Sequence, residues 1–480
     1  MWHRDAAVYQ VYPRSFQDSD GDGVGDLRGI ASRLGHVARL GADAVWLSPI
    51  YPSPGFDWGY DVSDYRDVAP EYGTLRDFDA LVHTAHEAGL RVLMDLVPCH
   101  TSIEHPWFTE HPDWYVWSDR DGPRNNWIAS FGGQAWSPDP HGRGWYLHSF
   151  YPEQPDLDWR NPEVPRAFGD VLRFWLERGV DGFRLDALDR LLKDPQFRDD
   201  PPATGPPPLP LYAEHATLEH VHSRDAPDIG TAIAALREAA GDAYLVGEVY
   251  LPSAGLGPYL EHLDACFSFE LYHAGWSATA VRAALAAAEG LPAGKLAWVL
   301  SNHDFRRLAD RVGHRNARAA AMLLLMLPGA AFVYQGDELG APDGPQPNPP
   351  RDRAGRDPYR TPMPWDGSPA RGFTAGEPWL PPYERVGLDV AAQEQDPGSS
   401  LQLYRDLLRL RAGLSQEHEL LDAAPDVVAL RRGDVLVALN LGDAPAPAPP
   451  AGELLRHTHD QDGREVPAAL APGEGFLARL

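Results

Sequence analysis

A chain of 480 residues with 43% apolar and 23% charged residues is long enough to bury a sizeable core at about 150 residues per domain, and too long for a small disulfide-stapled scaffold. Subtracting 69 Asp and Glu from 42 Lys and Arg gives a net charge of −27, which, with no long Lys/Arg run, disfavours nucleic acid and anionic membrane surfaces as partners. The two cysteines, Cys99 and Cys266, each lie in an apolar stretch, so a disulfide framework is not supported and a reducing compartment is the simpler expectation.

The segment from Met1 to Asp5 meets polar residues too soon for a secretory signal. The most apolar stretch, Ala319 to Tyr334, is short for a membrane span and is broken by Pro328 and Gly329. The expectation is a soluble cytoplasmic protein without a membrane partner.

In chain order, β-branched runs alternate with amphipathic helical runs. A strand over Val8 to Phe16 precedes a helix over Leu27 to Leu40, where Leu27, Ile30, Leu34, Val37 and Leu40 recur at helical spacing and Gly41 stops it. Next come a strand at Ala44 to Ile50, a helix at Leu75 to Ala88 and a strand at Arg91 to Val97. From Cys99 to about Asn161 the alternation gives way to a stretch rich in Trp, Pro, Gly and His, too long for an ordinary loop and read as an inserted subdomain. Alternation resumes with a helix at Val164 to Arg178, a strand at Gly182 to Leu188, a helix at Ile229 to Ala240 and a strand at Ala243 to Tyr250. Strands at Ala265 to Phe269, Ala297 to Ser301 and Ala330 to Gln335, with helices at Ala278 to Ala288 and Asn316 to Leu327, complete eight strand positions.

Eight such units with right-handed crossovers predict an α/β fold, a (β/α)8 TIM barrel with its chemistry at the C-terminal ends of the strands. Residues 201–210 and 341–399 read as loops, and a last amphipathic helix covers Leu401 to Leu414. Beyond it, Val427 to Leu430 and Val435 to Leu441 form a predicted hairpin of a small C-terminal β domain. The expected division is a barrel of 1–98 and 162–414, an inserted subdomain of 99–161 and a C-terminal domain of 415–480.

Polar residues gather where this barrel needs them. Strand three leads to Asp95 and His100, strand four to Arg184 and Asp186, strand five to Glu248, and strand seven to His303 and Asp304. One carboxylate after a strand is ordinarily a helix cap or a loop ion pair. The carboxylates Asp186, Glu248 and Asp304, with two histidines and an arginine, at one barrel mouth are a catalytic constellation. A nucleophile and a general acid must flank one glycosidic bond, about 5–5.5 Å apart in retaining enzymes, and neighbouring strands deliver that. Arg184, two residues before Asp186, shares its strand face and is expected to keep that carboxylate ionised as the nucleophile. Glu248, between apolar Val246 and Val249, suits the general acid. Asp304 is the third member, and His100 and His303 are donors to the same sugar.

The strings Asp95-Leu-Val-Pro-Cys-His100, Gly182-Phe-Arg-Leu-Asp186, Gly247-Glu248-Val-Tyr and Ser301-Asn-His-Asp304 resemble, in order and spacing, the four signature regions of the α-amylase family of glycoside hydrolases. The likeness extends to Gly59-Tyr60-Asp61, Gln154-Pro-Asp-Leu-Asp158, Gly329 through Glu338 and Arg356 through Trp365. The last two resemble the α-glucosidase and oligo-1,6-glucosidase branch.

The resemblance implies a retaining double displacement in which Asp186 attacks the anomeric carbon, Glu248 protonates the leaving oxygen and Asp304 stabilises the transition state. It places Tyr60, Asp61, His100, Arg184 and His303 around the terminal glucose, and it implies a pocket-closing pairing of Asp57 with an arginine, either Arg356 or Arg360. Ala187, just after the nucleophile, stands where valine accompanies α-1,6 preference, and so leans towards maltose-type substrates. Phe150 is an aglycone candidate. Cys99 and Asp158 depart from the asparagines usual at those positions.

Asp18, Asp20, Asp22 and Asp26, with Gly23 at the sixth place and the Val24 carbonyl as a further donor, match the start of an EF-hand-like calcium loop. The closing bidentate Glu is missing, because the twelfth position is Gly29. One structural Ca²⁺ is expected, in agreement with the resembling branch. The function expected is a retaining, exo-acting α-glucosidase on short α-glucosides. A trehalose synthase-type isomerase or a transglucosylase is the alternative on the same machinery. A non-catalytic carbohydrate-binding relative is disfavoured by the complete carboxylate set.

Overall fold

In a computed structural model, residues 2–292, 294–459 and 465–480 are described. Eight parallel strands close into a barrel: β1 (Ala7–Val11), β2 (Ala44–Leu47), β3 (Arg91–Leu96), β4 (Gly182–Leu185), β5 (Tyr244–Gly247), β6 (Ala265–Ser268), β7 (Leu296–Val299) and β8 (Ala330–Tyr334). Their order around the barrel is β1-β8-β7-β6-β5-β4-β3-β2. Almost every barrel-strand residue is buried, as continuous apolar runs require when both faces of a parallel sheet are covered.

The strands stop earlier than the sequence runs suggest. β4 ends at Leu185 and β5 at Gly247, which leaves Asp186 and Glu248 just past the ladder, where side chains face the barrel mouth rather than its packed interior. At Gly247 a Cβ would come within 2.5 Å of the Leu263 side chain and 2.9 Å of the Leu188 side chain, so any larger residue there would displace both.

The chain divides into two compact units, one of Met1–Trp46, His83–Arg91 and Glu270–Leu480, the other of Leu47–Val82 and Val92–Phe269. In the first, β1 pairs with β8 and β8 with β7. The helix Leu27–Leu40 starts at Asp26, whose side chain accepts the Gly29 N–H, and ends at Gly41 in the left-handed conformation, φ 96°, the capping pattern its sequence announces. The most apolar stretch begins in the helix Ala317–Met326, whose residues from Ala319 onward are all buried. No helix among the described residues is long and apolar enough to cross a membrane. Loop 341–399 holds one α-helix absent from the sequence expectation, Val390–Gln395, capped by Asp389 on the Ala392 N–H at 2.8 Å; six residues are too few for a periodic signal. The C-terminal domain is a five-stranded antiparallel sheet with order His418–Leu421, Val427–Arg432, Val435–Asn440, Gly475–Arg479, Leu454–His457, and it contains the predicted hairpin.

In the second unit, β3, β4, β5 and β6 pair in succession, with Asp95 opposite Arg184 and Arg184 opposite Val246. Segment 99–161 contains a two-stranded pair, Trp136–Pro138 with Trp145–Leu147, over a small core of Val116, Trp127, Ala129, Ala135, Trp136 and Leu147. Trp127 and Trp136 are thus packing residues.

Candidate active site

The Arg184 guanidinium, 1% exposed, is the centre of the second unit's polar cluster. Its Nη1 donates to Asp95 Oδ1 at 2.8 Å and to Asp186 Oδ1 at 2.6 Å, and its Nη2 lies 2.9 Å from Glu248 Oε2. The Asp186 and Glu248 carboxyls thus meet on one guanidinium, so the two groups expected to flank a glycosidic bond are brought together. Asp186 is set by its backbone, since its N–H donates to Leu96 O at 2.8 Å. Ala187 follows in the left-handed region, φ 47°, and its N–H donates to Glu248 Oε2 at 3.3 Å. A non-glycine residue at positive φ beside such a cluster is the kind of backbone constraint that functional sites hold.

One expectation is corrected. Burial, the largest influence, pushes the Asp186 carboxyl well above the usual carboxylate range; Arg184 pulls it down, and Glu248 and Asp95 push it up. A single guanidinium divided among three carboxylates does not hold Asp186 low. Asp95 is likewise pushed up to about 7, chiefly by burial and against the pull of Arg184.

Around this cluster, the Tyr60 hydroxyl donates to Asp95 Oδ2 at 3.1 Å, and its ring stands beside Arg184 at 5.7 Å. His100 Nε2 lies 3.1 Å from Tyr60 O and 3.0 Å from the Gln154 side-chain nitrogen, which also donates to Asp57 Oδ2 at 3.1 Å. Asp61 is fully buried and accepts the Asp57 N–H, the Phe56 N–H and the Ser53 hydroxyl; it shapes the loop that carries Asp57 and Tyr60. Phe150 stands 5.1 Å from His100 and continues into Phe131 at 5.9 Å, and Tyr212 meets Phe131 edge-on at 5.2 Å. The Tyr250 hydroxyl, two residues after Glu248, donates to Pro210 O at 2.9 Å.

Cys99 is buried and lies 3.7 Å from Arg190 O. Its own carbonyl accepts the Leu157 N–H at 3.0 Å, so a tie to the inserted segment runs through the backbone. Asp158 accepts the Arg160 N–H. The sequence reading missed Asp156 and Lys193, an ion pair at 2.6 Å with both side chains buried. Cys99, His100 and Asp156 place ligand-type atoms within 4.8 Å of one another, and the Lys193 ammonium supplies the positive charge there.

In the first unit, the Asn302 side chain accepts the N–H groups of Asp304 and Phe305 and turns the chain after β7. The buried His303 ring stacks on Tyr12 at 5.8 Å, its Nδ1 faces the Gln10 amide at 2.8 Å, and its Nε2 lies 3.2 Å from Asp304 Oδ2. Both candidate arginines reach the same oxygen: Arg356 Nη1 at 2.9 Å and Arg360 Nη2 at 3.3 Å from Asp304 Oδ1.

The aspartate loop is assembled in part. Asp18, Asp20 and Asp22 bring carboxylate oxygens within 4.8 Å of one another, a hard-oxygen set that fits calcium. Asp26 stands outside that group: its oxygens accept the N–H groups of Gly29 and Ser19 and the Ser19 hydroxyl. Although burial opposes it, the Thr374 hydroxyl and the N–H groups of Asp20, Gly21 and Gly23 hold the Asp18 carboxyl below its usual range.

Residues 10–417 match the model of the α-amylase catalytic domain family. The chain belongs to this family, and it is a glycoside hydrolase. A probable α-glucosidase of Rhizobium meliloti (strain 1021) is 43% identical over 457 residues, covering 85% of this chain and 82% of that protein. A solved α-glucosyl transfer enzyme superposes with a TM-score of 0.92 at 37% identity, covering 100% of this chain and 99% of the other. The trehalulose synthase of Pseudomonas mesoacidophila MX-45 superposes with a TM-score of 0.87 at 30% identity, again over 100% and 99%.

Proposed function

We propose that this family member is a retaining, exo-acting α-glucosidase that releases glucose from the non-reducing end of short α-glucosides of the maltose type. The observation that carries the reading is the single guanidinium of Arg184 in contact with both Asp186 and Glu248. Asp186 attacks the anomeric carbon while Glu248 protonates the leaving oxygen. Water, deprotonated by Glu248, then releases glucose from the glucosyl-enzyme with retention. Asp304 is the third carboxylate, stabilising the transition state, with His303 and its two arginines fixing it. Tyr60, Asp61, His100 and Asp57 belong to the glucose pocket, Ala187 to the linkage preference, and Phe150 to the aglycone side. Asp18, Asp20 and Asp22, with the Val24 carbonyl, hold one calcium ion whose role is structural.

The second reading is a transglucosylase or isomerase, in which a sugar intercepts the glucosyl-enzyme. Its support is the likeness to an α-glucosyl transfer enzyme and to a trehalulose synthase.

Asp186→Asn tests the assignment. Turnover of maltose is expected to fall by a factor of about 10⁴ or more with the thermal midpoint nearly unchanged; a variant of near wild-type activity would move the nucleophile elsewhere.

A further inference from the structure

We propose that Asp352 is a positioning residue for the reaction, the counter-ion that lets Arg356 and Arg360 share Asp304. Two guanidinium groups on one carboxylate oxygen repel each other, and a third charge must offset that repulsion. Asp352 is placed to do so. It takes Arg356 as a chelate, Nε at 2.9 Å and Nη2 at 2.7 Å, and also accepts the Arg356 backbone N–H at 2.8 Å. With those two nitrogens held, Nη1 is left directed at Asp304 Oδ1. The same Asp352 carboxylate stands 3.7 Å from Arg360 Nη1, while Arg360 Nε is fixed on His303 O at 2.9 Å.

Asp352 is itself anchored. Its N–H donates to the buried Asp357 carboxylate at 3.1 Å. It is 2% exposed, so solvent and salt screen its charge little. Burial opposes its ionisation, yet the hydrogen bonds and charge of Arg356 hold its carboxyl below the usual range. Asp352 acts only through the arginines, and the inference rests on the role proposed for Asp304.

The test is Asp352→Asn, which keeps the shape and removes the charge. The expected result is a fall in maltose kcat of about 10- to 100-fold, the cost of a small misplacement at a reacting centre, with KM changed less. Asp352→Glu, which keeps the charge, recovers part of the loss, and it replaces the Asn variant if that one does not fold. If Asp352 acts through Arg356, combining either variant with Arg356→Lys gives a loss no larger than that of the worse single variant. Wild-type kcat in Asp352→Asn, or losses that multiply in the double variant, would overturn the inference. A wild-type enzyme that leaves every α-glucoside intact would instead overturn the glucosidase reading itself, which keeps the two failures apart.

Discussion

Arg184 Nη1 donates to Asp186 Oδ1 at 2.6 Å and, from the same nitrogen, to Asp95 Oδ1 at 2.8 Å, so the proposed nucleophile competes for its cation with a carboxylate on the neighbouring strand. Burial and the charges of Glu248 and Asp95 all push Asp186 up. The acid limb of kcat/KM, which reports ionisation in the free enzyme, is therefore expected above the usual carboxylate range and belongs to the coupled cluster rather than to one residue. Asp95→Asn removes one of the charges that push Asp186 up, and it leaves Arg184 with fewer carboxylates to serve. The limb moves to lower pH. A pH profile of kcat/KM for wild type and variant checks this, and an acid limb that stays put or moves upward would refute the sharing of Arg184.

Asp337 sits behind the first unit's polar cluster, fully buried, where it accepts the Ser301 hydroxyl at 2.5 Å two residues before His303. Burial pushes its carboxyl up to about 7. In the unfolded chain this group ionises near 3.8, so between that value and about 7 the native state binds more protons, and stability falls as pH rises. Asp337→Asn cannot ionise. The thermal midpoint of the wild type should fall more between pH 4 and pH 8 than that of Asp337→Asn. Equal falls in the two proteins would show that Asp337 ionises normally in the fold.

Calcium should matter to stability more than to chemistry. Chelation is expected to lower the melting temperature by several degrees while room-temperature activity falls little, added Ca²⁺ should reverse the shift, and Asp20→Ala should abolish the response. A melting curve indifferent to chelator in the wild type argues against the ion.

The sequence made the barrel legible because its signals are local. Leu27, Ile30, Leu34, Val37 and Leu40 mark one helix face, Asp26 and Gly41 mark its ends, and Asp186 and Glu248 stand where apolar strand runs give out. What it left dark is what depends on contacts between distant residues. A spacing rule counts all four aspartates of the 18–26 loop as ligands, but the carboxylates that come within 4.8 Å of one another are those of Asp18, Asp20 and Asp22. Spacing also predicts that Arg184 faces Asp186, yet it cannot show that Asp95 and Glu248 divide the same guanidinium, and so it misjudges the ionisation of the proposed nucleophile. Asp156 with Lys193, and Asp352 with its arginines, lie in segments without periodicity, where no pattern singles out an ion pair before the loop is folded.

The most direct test of the glucosidase reading is a proton NMR time course on a mixture of maltose, isomaltose, sucrose and trehalose, following the anomeric signals from the first minutes. α-Glucose is expected first, before mutarotation, with maltose consumed ahead of the others. β-Glucose appearing first, or new disaccharide signals with little free glucose, would contradict it.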